Sequence, residues 1–330
     1  MKSISNALLA WYDRNQRDLP WRSARPDPYH VLVSEVMLQQ TQVATVVPYF
    51  QRFLAKFPTL TALSESDEQD VLRLWQGLGY YSRARNLRAA ARRIVADHDG
   101  KIPDDLDSLR QLPGIGPYTA GAIASIAFGR RAAIVDGNVA RVLCRLNKME
   151  RKVPAKLWAI AEKLVPAARP GDFNSALMEL GATLCTPVNP QCSICPLKRN
   201  CLAFAAGVQH LIPHKSKRVA QPLVRRWTYA IRNKNHYLIE QRPPTGRWAG
   251  LWQFVTLMRP NPKLLRFQIT HPRRLGIIRH VLTHRKYILT VSTCDYLSGS
   301  VSPRRWVTLT ALDRFPLSRP QQQIAKMLVQ

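Results

Sequence analysis

Apolar positions recur with a helical period through the first part of the chain. Ile4, Leu8, Leu9, Trp11 and Tyr12 mark an amphipathic helix, interrupted by Asp13 and Arg14. Residues 28–39 read as a second helix, with Pro28 in its first turn and Val31, Leu32, Val36, Met37 and Leu38 apolar. Leu87, Ala91, Ile94 and Val95 mark another, which Ser82 can cap. Leu106, Leu109 and Leu112 predict a helix that Pro113 stops. A helix rich in small residues follows, from about Tyr118 to Phe128, and then one carrying Val139, Val142, Leu143 and Leu146. Helical pattern continues over 145–184. Residues 207–226 hold Pro213, Pro222 and seven basic or histidine positions with little periodicity, and read as a solvated linker. From Trp227 the period changes to short strand-like runs: Trp227–Arg232, His236–Gln241, Gly276–Val281 and Tyr287–Thr293. A last helix starts near Gln321. No internal repeat or low-complexity tract is present.

The chain has 330 residues, long for a single core, so at least two domains are expected. Its formal charge of +28 favours a polyanionic partner. The excess is uneven: residues 203–330 contain 22 Lys and Arg against three acids. A generally basic proteome would also raise the charge. No long uncharged apolar span exists, which argues against a membrane partner. The N-terminal pattern is not that of a signal peptide, which places the protein in the cytoplasm, where disulfides are not expected.

Several polar residues interrupt the apolar pattern. Glu35 has Val31, Leu32 and Leu38 as helical neighbours. A carboxyl group on such a face is partly desolvated and its pKa rises, as a general acid near neutral pH requires. A glutamate at a boundary reaching water would give the same pattern. Gly114 and Gly116 allow a tight, bare hairpin before a helix N-terminus, which suits phosphate. An ordinary packing corner reads the same way. Asp136 in Val-Asp-Gly-Asn-Val suits an N-cap for the helix that follows. Residues 75–83, Trp-Gln-Gly-Leu-Gly-Tyr-Tyr-Ser-Arg, form a second glycine-bearing turn, either a packed corner or an aromatic wedge.

Cys185, Cys192, Cys195 and Cys201 are spaced C-x6-C-x2-C-x5-C. Four thiols this close in a cytosolic chain indicate a metal or cluster. Structural zinc favours paired Cys-x-x-Cys units or histidines. One such pair and no histidine in the loop favour an iron–sulfur cluster, which accepts irregular spacing. Cys144 and Cys294 are expected to be buried and unpaired.

The run Ser-Glu-Val-Met-Leu-Gln-Gln-Thr-Gln from Ser34 closely resembles the catalytic helix of the MutY family of adenine DNA glycosylases. The hairpin resembles the helix-hairpin-helix of base-excision glycosylases, and the cysteine spacing matches the 4Fe–4S loop of endonuclease III and MutY relatives. The segment Glu240–Phe254 resembles the start of a Nudix-type domain. After Glu240 there is no glutamate, so the magnesium-holding glutamate helix of a Nudix hydrolase is absent. The resemblance implies two domains. A mainly α glycosylase core spans 1–202, with the helix-hairpin-helix at about 112–123 and the cluster loop at 185–201. A linker follows at 203–226, then an α/β Nudix-like lesion-recognition domain at 227–330.

The resemblance also implies roles. Glu35 takes the position of the catalytic acid and Asp136 that of the aspartate that stabilises the sugar cation. Tyr118 and Asn138 shape that pocket, and Glu179 lies near the adenine. By pattern alone Glu179 would be a surface residue. Gly114 and Gly116 grip DNA backbone. Gln40 and Thr41 contact the lesion, while Leu78 and Tyr80 intrude into the duplex. Thr283 and His284, within His-Val-Leu-Thr-His-Arg, stand where the family reads 8-oxoguanine, with Leu282 replacing an aromatic. Plain strand-connecting turn chemistry fits the same residues. The implied substrate is double-stranded DNA with adenine opposite 8-oxoguanine or guanine, acted on by a monomer at the bacterial nucleoid. A bifunctional endonuclease III-like lyase is the nearest alternative, but Tyr118 stands where those enzymes place a lysine. A non-enzymatic damage-binding iron–sulfur protein is the alternative from another class.

Overall fold

The computed structural model describes residues 2–214 and 220–329. The chain divides into two units: Met1–Glu65 with Asn86–Lys217, and Ser66–Arg85 with Arg218–Gln330. Among the described residues, no helix is long and apolar enough to cross a membrane.

The first unit is helical. Its core gathers Leu8, Tyr12, Ile134, Val139, Leu143, Phe173 and Leu177 from the helices Lys2–Asn15, Gly137–Leu146 and Pro170–Thr183. The helix Pro28–Leu38 is apolar on nearly every side, and Val31 through Met37 are all buried. A helix of that kind belongs inside a core. Asp27 caps it, accepting from the backbone N–H of Tyr29 at 2.7 Å and of His30 at 3.3 Å. The small-residue helix differs from the pattern: it runs as α-helix over Pro117–Ala122 and widens to a π-turn at Ile123–Ala127. Such wider turns are frequent at functional sites.

Residues 203–214 are not solvated linker. Ala203 and Ile212 are buried in the helical core, and Arg145 donates to the Ile212 carbonyl at 2.9 Å. The helix Leu202–Ala205 carries the apolar contact that periodicity did not show in so short a piece. Residues 215–219 of the expected linker lie outside the described residues.

The second unit is built on a seven-stranded sheet. Its strands are β1 (Leu223–Asn233), β2 (His236–Gln241), β3 (Trp252–Leu257), β4 (Phe267–Ile269), β5 (Arg273–Leu282), β6 (Arg285–Gly299) and β7 (Arg305–Thr308). The order is β4-β6-β1-β3-β2-β7, with β5 also paired to β6. β1 and β6 run parallel; the other named pairings are antiparallel. Alternate residues serve two apolar faces: Ala230 enters one cluster, Tyr229 and Ile231 the other. The helix Arg319–Met327 covers the first face through Ile324. β2 coincides with its alternating run, whereas β1, β5 and β6 extend beyond theirs into polar and charged rim positions. Cys144 and Cys294 are buried and free, as expected.

Residues 66–85 pack with this sheet unit. The Trp252 indole donates to Gln69 at 3.1 Å, and the Leu317 backbone N–H donates to Gln76 at 2.8 Å.

In the helical unit Gly114 has φ +77, and a Cβ there would lie 2.6 Å from the Asn86 Cβ. Only glycine meets both conditions. Gly114→Ala should therefore lower stability by roughly 1–3 kcal/mol, read as a lower urea midpoint at unchanged m.

Candidate active site

A cavity of about 910 Å³ opens in the helical unit, and Glu35, Thr41, Tyr118, Asp136, Asn138 and Glu179 all line it. Among the carboxyl groups that line it, Glu35, Asp136 and Glu179 stand in three different environments.

Glu35 is 4% exposed. Its Oε2 accepts a hydrogen bond from the Tyr118 hydroxyl at 2.7 Å. Burial pushes its pKa up to about 7; the Tyr118 hydrogen bond opposes this, and the nearby Asp136 charge adds to it. Tyr118 itself is held well above its ordinary value, by burial first and then by Glu35 and Asp136. Its hydroxyl also lies 3.1 Å from the Met178 sulfur. Glu35 is therefore a carboxyl that holds a proton near neutrality with an open cavity beside it.

Asp136 is both the cap and a cavity wall. Its Oδ1 accepts from the Val139 backbone N–H at 2.6 Å, starting the helix Gly137–Leu146. Burial raises its pKa, while the backbone N–H groups of Val139 and Asn138 oppose the rise. The same helix supplies Asn138, whose Oδ1 accepts from Arg141 at 2.9 Å. Arg141 donates onward to the carbonyls of Gly181 and Cys185, each at 2.7 Å. Asn138 is thereby held at the cavity rim by a buried network.

Glu179 is not a surface residue: it is 1% exposed. Arg17 grips it with two nitrogens at 2.5 and 3.0 Å, and Arg22 with one at 2.8 Å. Burial acts to raise its pKa, but the two guanidinium groups outweigh burial and hold it below the ordinary value. Arg17, Trp21 and Arg22 line the cavity, and the pattern along the chain did not single them out. They lie in a non-helical stretch, where the only signal is a tryptophan flanked by arginines close to Pro20.

The expected DNA-facing residues fall in both units. In the helical unit Gly114 and Gly116 flank the hairpin before Pro117, and Gln40 sits exposed with φ +56 just after the helix Pro28–Leu38. In the sheet unit Tyr80 is 40% exposed with φ +47, whereas Leu78 is buried at 6%. The Tyr80 and Thr283 hydroxyls are hydrogen-bonded at 2.6 Å, so the turn and the β5–β6 loop meet directly. His284 is exposed beside them. The Gln221 amide steadies that loop by donating to the Leu282 and Thr283 carbonyls at 3.0 and 2.9 Å.

The four loop cysteines share one electrostatic neighbourhood. Burial pushes Cys195 up to about 11, with Cys185, Cys201 and Cys192 adding to the rise. Buried Arg145 donates to the Cys185 sulfur at 3.3 Å and to the Thr186 carbonyl at 2.8 Å. Among the described residues, no group of three or more His, Cys, Asp or Glu stands ready to hold a single metal ion. A four-iron cluster is larger than one ion and holds its sulfurs further apart. Burial and neighbouring thiols raise Cys192, Cys195 and Cys201, which fits a group whose own positive charge compensates the thiolates.

Residues 33–167 match the HhH-GPD superfamily of base excision DNA repair proteins, and residues 226–327 match the NUDIX domain. A curated adenine DNA glycosylase from Mus musculus is 51% identical, covering 97% of this chain and 76% of the relative. The chain belongs to the adenine DNA glycosylase family. The family's Homo sapiens member is 39% identical over 86% of this chain, which spans 65% of that relative's length. Among solved structures, a thermostable thymine-DNA glycosylase aligns with TM-score 0.57 at 30% identity, covering 62% of this chain and 96% of that one. An endonuclease III bound non-covalently to DNA aligns with TM-score 0.55 at 24% identity, covering 63% of this chain and 96% of that one, and shares the fold.

The Glu35 environment makes a prediction about folding. Its pKa rises from 4.5 to about 7 in the folded protein, so folding favours the protonated form. That contribution is intact below the unfolded value and is lost as pH climbs through about 7. Glu35→Gln, which stays neutral, should raise Tm over wild type at pH 8 by several degrees, and the gain should shrink toward pH 5. Equal gains at both pH values would contradict the raised pKa.

Proposed function

We propose that this protein removes adenine opposite 8-oxoguanine or guanine by hydrolysing the N-glycosidic bond, without cutting the strand. The observation that carries this reading is Glu35, a buried carboxyl that is protonated near neutrality and lies beside Asp136 in an open cavity. The adenine is flipped out of the stack into that cavity. Glu35 delivers its proton to adenine N7, and the C1′–N9 bond breaks with its electrons leaving on the base. Asp136, ionised, stabilises the positive sugar electrostatically. Ionised Glu35 then takes a proton from the water that adds to C1′. Tyr118 and Asn138 hold the two carboxyls in place. No lysine stands among the residues lining the cavity, which supports hydrolysis rather than a Schiff-base lyase.

Gly114, Gly116, Gln40, Thr41 and Tyr80 hold the duplex, with Leu78 moving from its buried position if it is to intrude. Thr283 and His284 read the lesion, and their placement beside Tyr80 supports this role. Cys185, Cys192, Cys195 and Cys201 hold a 4Fe–4S cluster with a structural part, since four thiolates leave no open iron site. Protein purified without air should carry about four irons per chain; zinc in place of iron would overturn the cluster.

Single-turnover excision on duplexes with A opposite 8-oxoguanine, G or T tests the activity. Glu35→Gln should release no adenine while still binding. The wild-type strand should stay whole until alkali is added, and borohydride should trap no covalent complex. Thr283→Ala with His284→Ala should narrow the preference for 8-oxoguanine over guanine by roughly 5- to 150-fold, the loss of one or two hydrogen bonds. Substantial base release by Glu35→Gln would overturn the assignment of the acid.

The pH profile supplies a second test. Excision should fall as pH rises through about 7, where Glu35 loses its proton. Tyr118→Phe removes the hydrogen bond that holds Glu35 down, so the alkaline limb should move to higher pH. A limb that stays in place would separate Tyr118 from the acid.

A further inference from the structure

The sheet unit contains a group of side chains that the excision chemistry does not use. Trp248 lies on the loop between β2 and β3 with φ +54, a left-handed backbone that is an outlier for so bulky a residue. Strain of this kind persists where the surroundings impose it, and it gathers at ligand-holding sites. The Trp248 ring stands 5.0 Å from Tyr287 and 6.1 Å from His280, centroid to centroid. Tyr287 and His280 are cross-strand partners on β6 and β5, a short step from the Thr283 loop.

Two guanidinium groups lie over these rings, and a third lies on the same sheet face. Arg242 lies 6.0 Å from the Trp248 centroid and Arg247 lies 5.9 Å from that of Tyr287. Arg226 is in register with Leu289 on β6, one pleat from the Val224–Tyr287 pair, and so shares that face. It lies close enough to Arg242 for the two charges to oppose each other. The Glu240 charge acts on Arg242 but does not pair with it. Glu240 is taken by Arg304 and Asp295 by Arg232, each at 2.9 Å. Among the described residues, Arg226, Arg242 and Arg247 form no ion pair. Arg242 is instead anchored on neutral acceptors, the Arg247 carbonyl at 3.0 Å and the Gln253 amide oxygen at 2.7 Å. Like charges held together on a rigid aromatic base, with no carboxylate paired to them, fit an anion presenting several oxygens.

We infer that Arg226, Arg242 and Arg247, backed by Trp248, His280 and Tyr287, form a phosphate-ester seat beside the Thr283 loop. The ester is either the phosphodiester backbone of the bound DNA or the phosphate chain of a free nucleotide. The inference rests on the proposed DNA-binding role for the first source only.

The test uses the full chain carrying Glu35→Gln, titrated onto a labelled duplex with A opposite 8-oxoguanine over a range of salt. Arg226→Ala with Arg247→Ala should flatten the slope of log K against log salt by about two. Arg226→Lys with Arg247→Lys should keep the slope but weaken binding, since the charge remains and the planar fork is lost. Arg259→Ala with Lys326→Ala removes the same charge from exposed positions elsewhere in the unit and should change neither. Calorimetry of the Glu35→Gln chain with dATP and with pyrophosphate forms the second arm. Binding there that the Arg226/Arg247 alanine pair abolishes, with an unchanged duplex slope, assigns the seat to free nucleotide. A folded alanine pair with unchanged slope and unchanged nucleotide binding overturns the seat, as does an equal effect from the control pair. Excision by the wild-type chain on the same duplex is measured separately, so a failed seat and a failed glycosylase reading remain distinct.

Discussion

A carboxyl group inside an apolar helix sets the terms for the rest of the helical unit. Glu35 lies on a helix whose residues from Val31 to Met37 are all buried. An ionised carboxylate there is costly, so the group holds its proton to about pH 7. Among the described residues the Tyr118 hydroxyl is its one hydrogen-bond partner, and that hydroxyl arrives from the helix behind the Gly114 hairpin. The hairpin fixes Tyr118, and Tyr118 moderates Glu35. The proton of Glu35 is then available to whatever enters the cavity.

Two other carboxyls of the cavity, Asp136 and Glu179, show how surroundings divide labour among like groups. Asp136 is held by backbone N–H groups at a helix start, which gives it a fixed direction, with the Arg141 charge acting on it from nearby rather than in an ion pair. Glu179 is fully committed to Arg17 and Arg22 and stays ionised despite its burial. One carboxyl is protonated, one is oriented and one is paired. This arrangement supports a proton delivered on one side of a glycosidic bond and negative potential retained near the sugar.

The sheet unit follows a different rule. Its two apolar faces are laid down by alternation that bulges interrupt in the β4–β6 and β5–β6 pairings, and the unit carries arginines far in excess of acids after residue 203. Such a surface gains by meeting phosphate, which matches the family to which the chain belongs. The turn carrying Tyr80 packs in this unit and meets Thr283 through a single hydrogen bond. The segment is thus tied to the sheet by side-chain to backbone bonds such as that from Leu317 to Gln76.

The sequence alone determined the helical and sheet portions, the apolar helix that carries Glu35, the hairpin, the cysteine spacing and the N-cap position of Asp136. These are local signals: period, caps, glycines and short spacings act over a few residues and survive without knowledge of the fold. The tertiary structure decided what depends on distant partners. The burial of Glu179 needs Arg17 and Arg22, more than 150 residues away in the chain. The core role of Ala203 and Ile212 needs Arg145 and the helices around it. Leu78 and Tyr80 alternate in one turn, yet only packing makes the first buried and the second exposed. Strands such as β3, β4 and β7 were hidden because short segments gain their identity from neighbours. The pKa of Glu35 was foreseen in direction from its apolar neighbours; its value near 7 required the Tyr118 hydroxyl and the Asp136 charge, which only folding brings to it.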